Sequence, residues 1–211
     1  MFKFCLKKPL RTPLFISAHL VQILSERNPL FISAKFVQIL SEKPLRDADN
    51  SSLFTLHSSF MKSLDPAKVQ YLVIHCTATN PRQRLTPQML ELQHKAQGWE
   101  TAGYHYYITT SGKCWQFREL NQQGAHVLGY NDKSIGIAYE GGCDGLLAPK
   151  DTLNADQEAA LVALILQLRE TFPNAEIVGH NDLNPKKACP SFNVRERLPQ
   201  LFDTTLLQED E

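Results

Sequence analysis

Two histidines and one cysteine are the residues of this sequence best suited to chemistry. His75 directly follows the apolar, β-branched segment 69–74, and His180 follows the similar segment 175–178 and a glycine. Side chains that follow the strands of an α/β sheet gather at its carboxyl edge. Cys189 comes nine residues after His180, in a lysine-bearing loop between two prolines, where a thiolate is favoured. Two imidazoles and one thiolate can hold Zn²⁺ and leave its fourth position for water.

Each of these residues also has a simpler interpretation. A single histidine after a strand more often makes an ordinary hydrogen bond than binds a metal. A single cysteine is most often a small buried hydrophobe, which we predict for Cys76, Cys114 and Cys143. A cysteine hydrolase, with Cys189 as nucleophile and His180 as base, is a further alternative, which zinc content and chelator inhibition would distinguish.

The elements that must position these residues alternate between strands and helices. Strands are predicted at residues 69–74, 104–109, 114–117, 134–139 and 175–178, with a hairpin turn at Ser111-Gly112. Thr86-Pro87 begins one helix, which ends at Gly98. Along one side this helix carries Met89, Leu92 and Ala96. Asn154 caps a second helix, whose apolar residues at helical spacing are Leu161, Leu164, Ile165, Leu168 and Phe172. The order β-α-β-β-β-α-β predicts an α/β domain with a central mixed sheet flanked by helices.

The first sixty residues differ from this pattern. Segments 13–18 and 21–26 return sixteen residues later as 29–34 and 37–42, and two copies are fewer than stacked repeat folds need. We predict that residues 1–60 are a duplicated extension, disordered or non-native, and that residues 61–211 form the single domain. The basic start resembles a signal peptide weakly, because His19 and Gln22 interrupt its apolar run.

Composition narrows the classes of function. Twenty-two basic and twenty-two acidic residues cancel, so no net charge attracts the chain to nucleic acid. No segment approaches the ~20 apolar residues that a membrane helix needs. We therefore expect neither a nucleic-acid partner nor a membrane span.

Six separated motifs between residues 68 and 200 carry a resemblance to a known family. In chain order they are His75-Cys76-Thr77-Ala78-Thr79, Gly103-Tyr104-His105-Tyr106, Gly124-Ala125-His126 with Gly129-Tyr130-Asn131, Ser134-Ile135-Gly136-Ile137, Gly179-His180, and Lys187-Ala188-Cys189-Pro190-Ser191-Phe192. This series resembles the zinc-dependent N-acetylmuramoyl-L-alanine amidases of bacteriophage-lysozyme type, relatives of the peptidoglycan recognition proteins.

The resemblance implies roles for individual residues. His75, His180 and Cys189 match the family's Zn²⁺ ligands, Tyr104 its catalytic tyrosine and Lys187 its catalytic lysine. It also implies hydrolysis of the amide between N-acetylmuramic acid and L-alanine, with peptidoglycan (glycan strand plus stem peptide) as the partner. We expect a monomer that is made in the cytoplasm and acts on the cell wall. The sequence does not assign its export route. The alternative is a peptidoglycan-binding module of the same fold without turnover.

Several neighbouring residues have weaker signals. Lys186 is a rival to Lys187, although the Lys-Ala-Cys-Pro register favours the latter. His126 is either a third histidine ligand or, as we predict, part of a substrate-binding wall. With it in that wall we place Tyr130 and Asn131. Glu140 is either a contact to a ligand residue or to the substrate or, as we predict, a solvated carboxylate at a strand end.

Overall fold

The structure is a computed structural model that describes residues 61–202. Its five strands are β1 (Tyr71–Cys76), β2 (Tyr106–Ile108), β3 (Cys114–Gln116), β4 (Ser134–Tyr139) and β5 (Glu176–Gly179). They form one sheet in the order β3-β2-β4-β1-β5. Only β3 is antiparallel to its neighbour, and the other pairings are parallel. The predicted mixed sheet and its strand order along the chain are therefore confirmed.

The helices are α1 (Pro87–Ala96), α2 (Ala155–Thr171), α3 (His180–Leu183) and α4 (Val194–Arg197), with short 3-10 turns at Pro66–Lys68 and Pro199–Leu201. Both predicted caps are present. The Thr86 side chain accepts a hydrogen bond from the Met89 amide, and Asn154 forms a capping box with Gln157. In each case a side-chain oxygen satisfies an amide that the first helical turn leaves without a partner.

The sheet is covered on both faces. Tyr106 and Ile108 of β2 pack into the larger core cluster, which contains most of the buried apolar residues of α2. Tyr107, between them, packs into a second cluster with Leu90 of α1. Because successive side chains of a strand point to opposite faces, α1 and α2 lie on opposite sides of the sheet. All five apolar residues predicted for α2 are at most 5% exposed, so that prediction is confirmed.

The apolar side predicted for α1 is wrong. Met89 is 42% and Leu92 66% exposed, and Ala96 is also exposed. The helix instead buries Leu90 and His94, which are one helical turn apart. His94 is a polar residue, so a pattern read from apolar residues alone identified the neighbouring face.

The predictions for residues 1–60 lie outside the described residues and stay predictions, as does the domain start at Met61. Within residues 61–202, no helix combines the length and the apolar character that a membrane crossing requires.

Candidate metal centre and active site

Two neighbouring parallel strands bring the two predicted histidine ligands together. Ile74 of β1 is the register partner of Gly179, the last residue of β5. The residues that follow these two in the chain, His75 and His180, therefore lie at the same edge of the sheet. The ring centroids of His75 and His180 are 4.7 Å apart. The ligand atoms of His75, His180 and Cys189 all lie within 4.8 Å of one another. The sheet register thus creates a site with the geometry to hold one metal ion.

Cys189 is held in place by several hydrogen bonds. The Cys76 amide donates to Cys189 Sγ at 3.2 Å, and the Asn181 amide donates to the Cys189 carbonyl at 2.8 Å. The Tyr139 hydroxyl donates to the carbonyl of Pro190 at 2.7 Å, next in the chain. The loop that contains Cys189 is therefore bonded to β1, to β4 and to α3.

The surroundings favour the neutral state that metal binding needs in the two histidines, but not the thiolate that the sequence analysis favours for Cys189. Burial, and then the neighbouring His180, lowers the pKa of His75. Burial, and then the charge of Lys187, lowers the pKa of His180. Both imidazoles are therefore neutral near pH 7. Contact with the Cys76 thiol, and then burial, raises the pKa of Cys189, so a metal ion that binds its thiolate must displace a proton.

Tyr104 and Lys187 both lie beside this group. The rings of Tyr104 and His75 have centroids 5.2 Å apart. Burial, followed by the nearby Cys189 and Cys76, raises the pKa of Tyr104, so its hydroxyl stays protonated and can donate a hydrogen bond. Lys187 is exposed, and its charge is close enough to affect the pKa of both His180 and Cys189. No such effect is seen for Lys186, whose amide donates to Asn184.

Similarity to known proteins agrees with this geometry. A family model described as N-acetylmuramoyl-L-alanine amidase matches residues 65–192. The chain belongs to this amidase family. The endolysin of Klebsiella phage KP32 is 34% identical over 137 residues, which cover 61% of this chain and 90% of the endolysin. A peptidoglycan-recognition protein of Drosophila melanogaster is 30% identical over 135 residues, covering 62% of this chain and 72% of that protein.

A solved structure supports the same conclusion. The endolysin N-acetylmuramoyl-L-alanine amidase of Clostridium intestinale has a TM-score of 0.55 and 27% identity, over 65% of this chain and 88% of its own. The family recognised from the sequence motifs is therefore confirmed.

The three residues predicted to line the amidase's substrate site have partners within the protein. His126 Nδ1 lies 3.0 Å from His75 Nε2, and His126 is not one of the three residues whose ligand atoms converge. Asn131 Oδ1 accepts hydrogen bonds from the amides of His126 and Val127. The Tyr130 ring packs edge-on against another tyrosine, with centroids 5.6 Å apart. No contact here tests substrate binding, which stays a prediction for all three.

The prediction that Glu140 is a solvated carboxylate is wrong. The residue is only 4% exposed, and its two carboxylate oxygens accept from the amides of Leu85 and Thr110 at 2.8 and 2.9 Å. The carboxylate therefore ties two loops of the amidase to the end of β4. Cys76 and Cys143 agree with prediction, since each is a free thiol that is 5% exposed. Cys114 is equally buried, but it is disulfide-bonded, so the prediction of a simple buried hydrophobe is wrong for this residue.

His94 is a site neighbour that the sequence analysis did not identify. Its Nδ1 accepts a hydrogen bond from the Gly103 amide at 2.9 Å, and its ring lies 4.7 Å from Trp99 and 5.6 Å from Tyr104 between centroids. The available signal was its position four residues after Leu90, which places both on one helix face. His94 joins α1 to the segment that carries Tyr104.

Proposed function

We propose that this protein is a zinc-dependent amidase that binds Zn²⁺ through His75, His180 and Cys189. The family match assigns the hydrolysis of the amide between N-acetylmuramic acid and L-alanine of peptidoglycan. The observation that supports zinc is the convergence of three donor atoms within 4.8 Å. Two neutral imidazoles and a cysteine thiolate suit Zn²⁺ and leave a position for water or substrate. When bound, the ion would supply Lewis-acid polarisation and activate water.

Tyr104 is proposed as a hydrogen-bond donor to the oxygen on which negative charge develops. A tyrosine hydroxyl is protonated at neutral pH, and burial raises the pKa of Tyr104 further, so the residue is suited to donate a hydrogen bond. A donor that is positioned before the reaction stabilises the transition state without reorganisation of solvent. Its contact with the His75 ring places it next to the three proposed ligands.

Lys187 is proposed to place positive charge beside the same oxygen. Its effect on the pKa of His180 and Cys189 locates the ammonium within electrostatic range of both. The side chain is exposed, so it can contact a substrate without first losing a buried partner. A cation at this point stabilises a developing oxyanion.

The reaction itself is an ordinary hydrolysis. A bond forms between a water oxygen and the lactyl carbonyl carbon, and the bond from that carbon to the alanine nitrogen breaks. One water proton is transferred to the alanine nitrogen, which leaves as the amine of a free stem peptide. The glycan strand keeps a lactyl carboxylate. We accordingly propose that the protein acts on the cell wall after synthesis in the cytoplasm.

Digestion of purified peptidoglycan with and without a chelator tests this proposal. We expect new alanine amino ends and lactyl carboxylates by mass spectrometry, loss of both with the chelator, and recovery on addition of zinc. Cys189→Ala should lose zinc and activity, whereas Cys143→Ala removes a buried thiol that is not one of the proposed ligands and should keep both. Cleavage that persists after verified metal removal but stops on thiol alkylation would indicate the cysteine hydrolase. Peptidoglycan binding without new ends would indicate the binding module.

A further inference from the structure

We infer that His126 is a positioning residue, which orients the proposed ligand His75 through a directional chain of hydrogen bonds. This inference rests on the proposed function, because it assigns His75 Nδ1 to the metal. It gives the Gly124-Ala125-His126 motif a role different from the substrate wall predicted for it.

The two nitrogens of His75 face different partners. Nδ1 lies 3.6 Å from Cys189 Sγ, on the side where the proposed ligand atoms converge. Nε2 lies 3.0 Å from His126 Nδ1. A nitrogen that binds a metal carries no hydrogen, so neutral His75 must carry its hydrogen on Nε2. His75 Nε2 then donates to His126 Nδ1.

That first hydrogen bond determines the next two. Because His126 Nδ1 is an acceptor, neutral His126 carries its hydrogen on Nε2, which lies 3.4 Å from Ser134 Oγ. The Ser134 hydroxyl can accept there and donate in turn to the Tyr130 carbonyl, 2.6 Å away. The chain ends at a backbone carbonyl, which can only accept. Each link therefore supports the tautomer of His75 that leaves Nδ1 free for a metal.

The position of the His126 ring is fixed by its surroundings. A Cβ added at Gly124 or at Gly136 would clash with His126 Cδ2, so each of these positions has room only for glycine. The backbone of His126 is held through Asn131, whose Oδ1 accepts from the His126 amide at 2.8 Å. The ring thus lies in a slot between the loop and β4.

The neighbouring histidine does not compete for these bonds. His105 lies 5.8 Å from His126 between ring centroids. Its Nδ1 accepts from the Gly136 amide at 3.0 Å, and its Nε2 can donate to the Gln122 carbonyl at 2.8 Å. Both its nitrogens are therefore occupied by backbone groups. His126 Nδ1 remains available to His75.

Zinc affinity and the tautomers of the histidines test the inference together. His126→Phe keeps an aromatic ring but removes the acceptor, and should weaken Zn²⁺ binding by about 10- to 100-fold in competition with a chromophoric chelator. His126→Asn, which retains an acceptor near the Nδ1 position, should recover part of this loss. Val127→Ala is the matched control, because it trims a buried neighbour in the same loop and should leave zinc affinity unchanged.

Nitrogen-15 NMR of the zinc-loaded wild-type protein provides a readout that packing alone would not change. We expect His75 and His126 both to carry hydrogen on Nε2. A hydrogen on His126 Nδ1 would overturn the inference, even if His126→Phe failed to fold. Wild-type zinc affinity in a folded His126→Phe would overturn it as well. A wild-type protein that binds no zinc would instead contradict the proposed function.

Discussion

Acidification should destabilise the protein through His105, a buried histidine that directly precedes β2. His105 is 0% exposed, and burial, the largest cause, lowers its pKa from 6.5 to about 4. Both ring nitrogens bond backbone groups, so the neutral ring has one donor and one acceptor satisfied. A proton on Nδ1 would remove the acceptor for the Gly136 amide.

The sign of the effect follows from proton binding. Between pH 6.5 and about 4 the unfolded chain binds a proton at this histidine and the folded protein does not. The free energy of unfolding therefore falls as pH falls through this window, and the contribution is fully present only above pH 6.5. The lowered pKa corresponds to ~3 kcal/mol in total, of which ~2 kcal/mol should be lost between pH 7 and pH 4.5.

Urea denaturation at pH 7 and pH 4.5, in chelator to remove metal linkage, measures this contribution. His105→Asn cannot titrate in this range, so it should be less stable than wild type at pH 7 yet lose ~2 kcal/mol less on acidification. Tyr107→Phe is the matched control, because it deletes the buried hydrogen bond to the Leu85 carbonyl without removing a histidine. Its loss on acidification should equal that of wild type. Equal losses in wild type and His105→Asn would refute the reasoning.

Four further predictions concern the site and the domain. Tyr104→Phe and Lys187→Ala should each lower peptidoglycan turnover by ~10²-fold or more while zinc stays bound, whereas Lys186→Ala should have little effect. Zinc content is measured beside the rate, and loss of zinc in either variant would show that the residue is structural and not catalytic. Glu140→Ala should cost at least ~1–3 kcal/mol of unfolding free energy, since the buried Leu85 amide loses its acceptor and the part-buried Thr110 amide loses one as well, and Glu140→Gln should cost less in the same denaturation assay. Residues 61–211 expressed alone should be soluble and active, and an insoluble or inactive product would show that the upstream segment is needed. Zinc at a hundredfold excess over its Kd should add ~2.7 kcal/mol of stability, so an unchanged melting temperature after verified metal removal would count against a preformed site.

Much of the local structure could be predicted because its causes are close together in the chain. Thr86 and Asn154 cap helices through amides only three residues away, so neither cap depends on the rest of the fold. The buried strands were recognisable from their apolar, β-branched composition. The order of those elements was sufficient for the fold class.

The face of α1 and the burial of Glu140 could not be predicted in this way. Leu90 and His94 are buried because α1 packs on residues of other segments, including Tyr107 of β2. Glu140 is buried because its acceptors are used by the Leu85 amide, 55 residues away, and the Thr110 amide, 30 residues away. Local composition contains no information about such partners.

The candidate metal centre likewise depends partly on the sequence alone and partly on the fold. The sequence by itself determined which side chains are available, because the chemistry of two imidazoles, a thiolate, a phenol and an amine belongs to the residues themselves. Only the tertiary structure decided their arrangement. The register of β1 with β5 makes His75 and His180 neighbours, and His126 reaches His75 across 51 residues of chain. Hydrogen bonds and metal ligation act over a few ångströms, so their pairing is determined by the folded backbone and not by the order of residues along it.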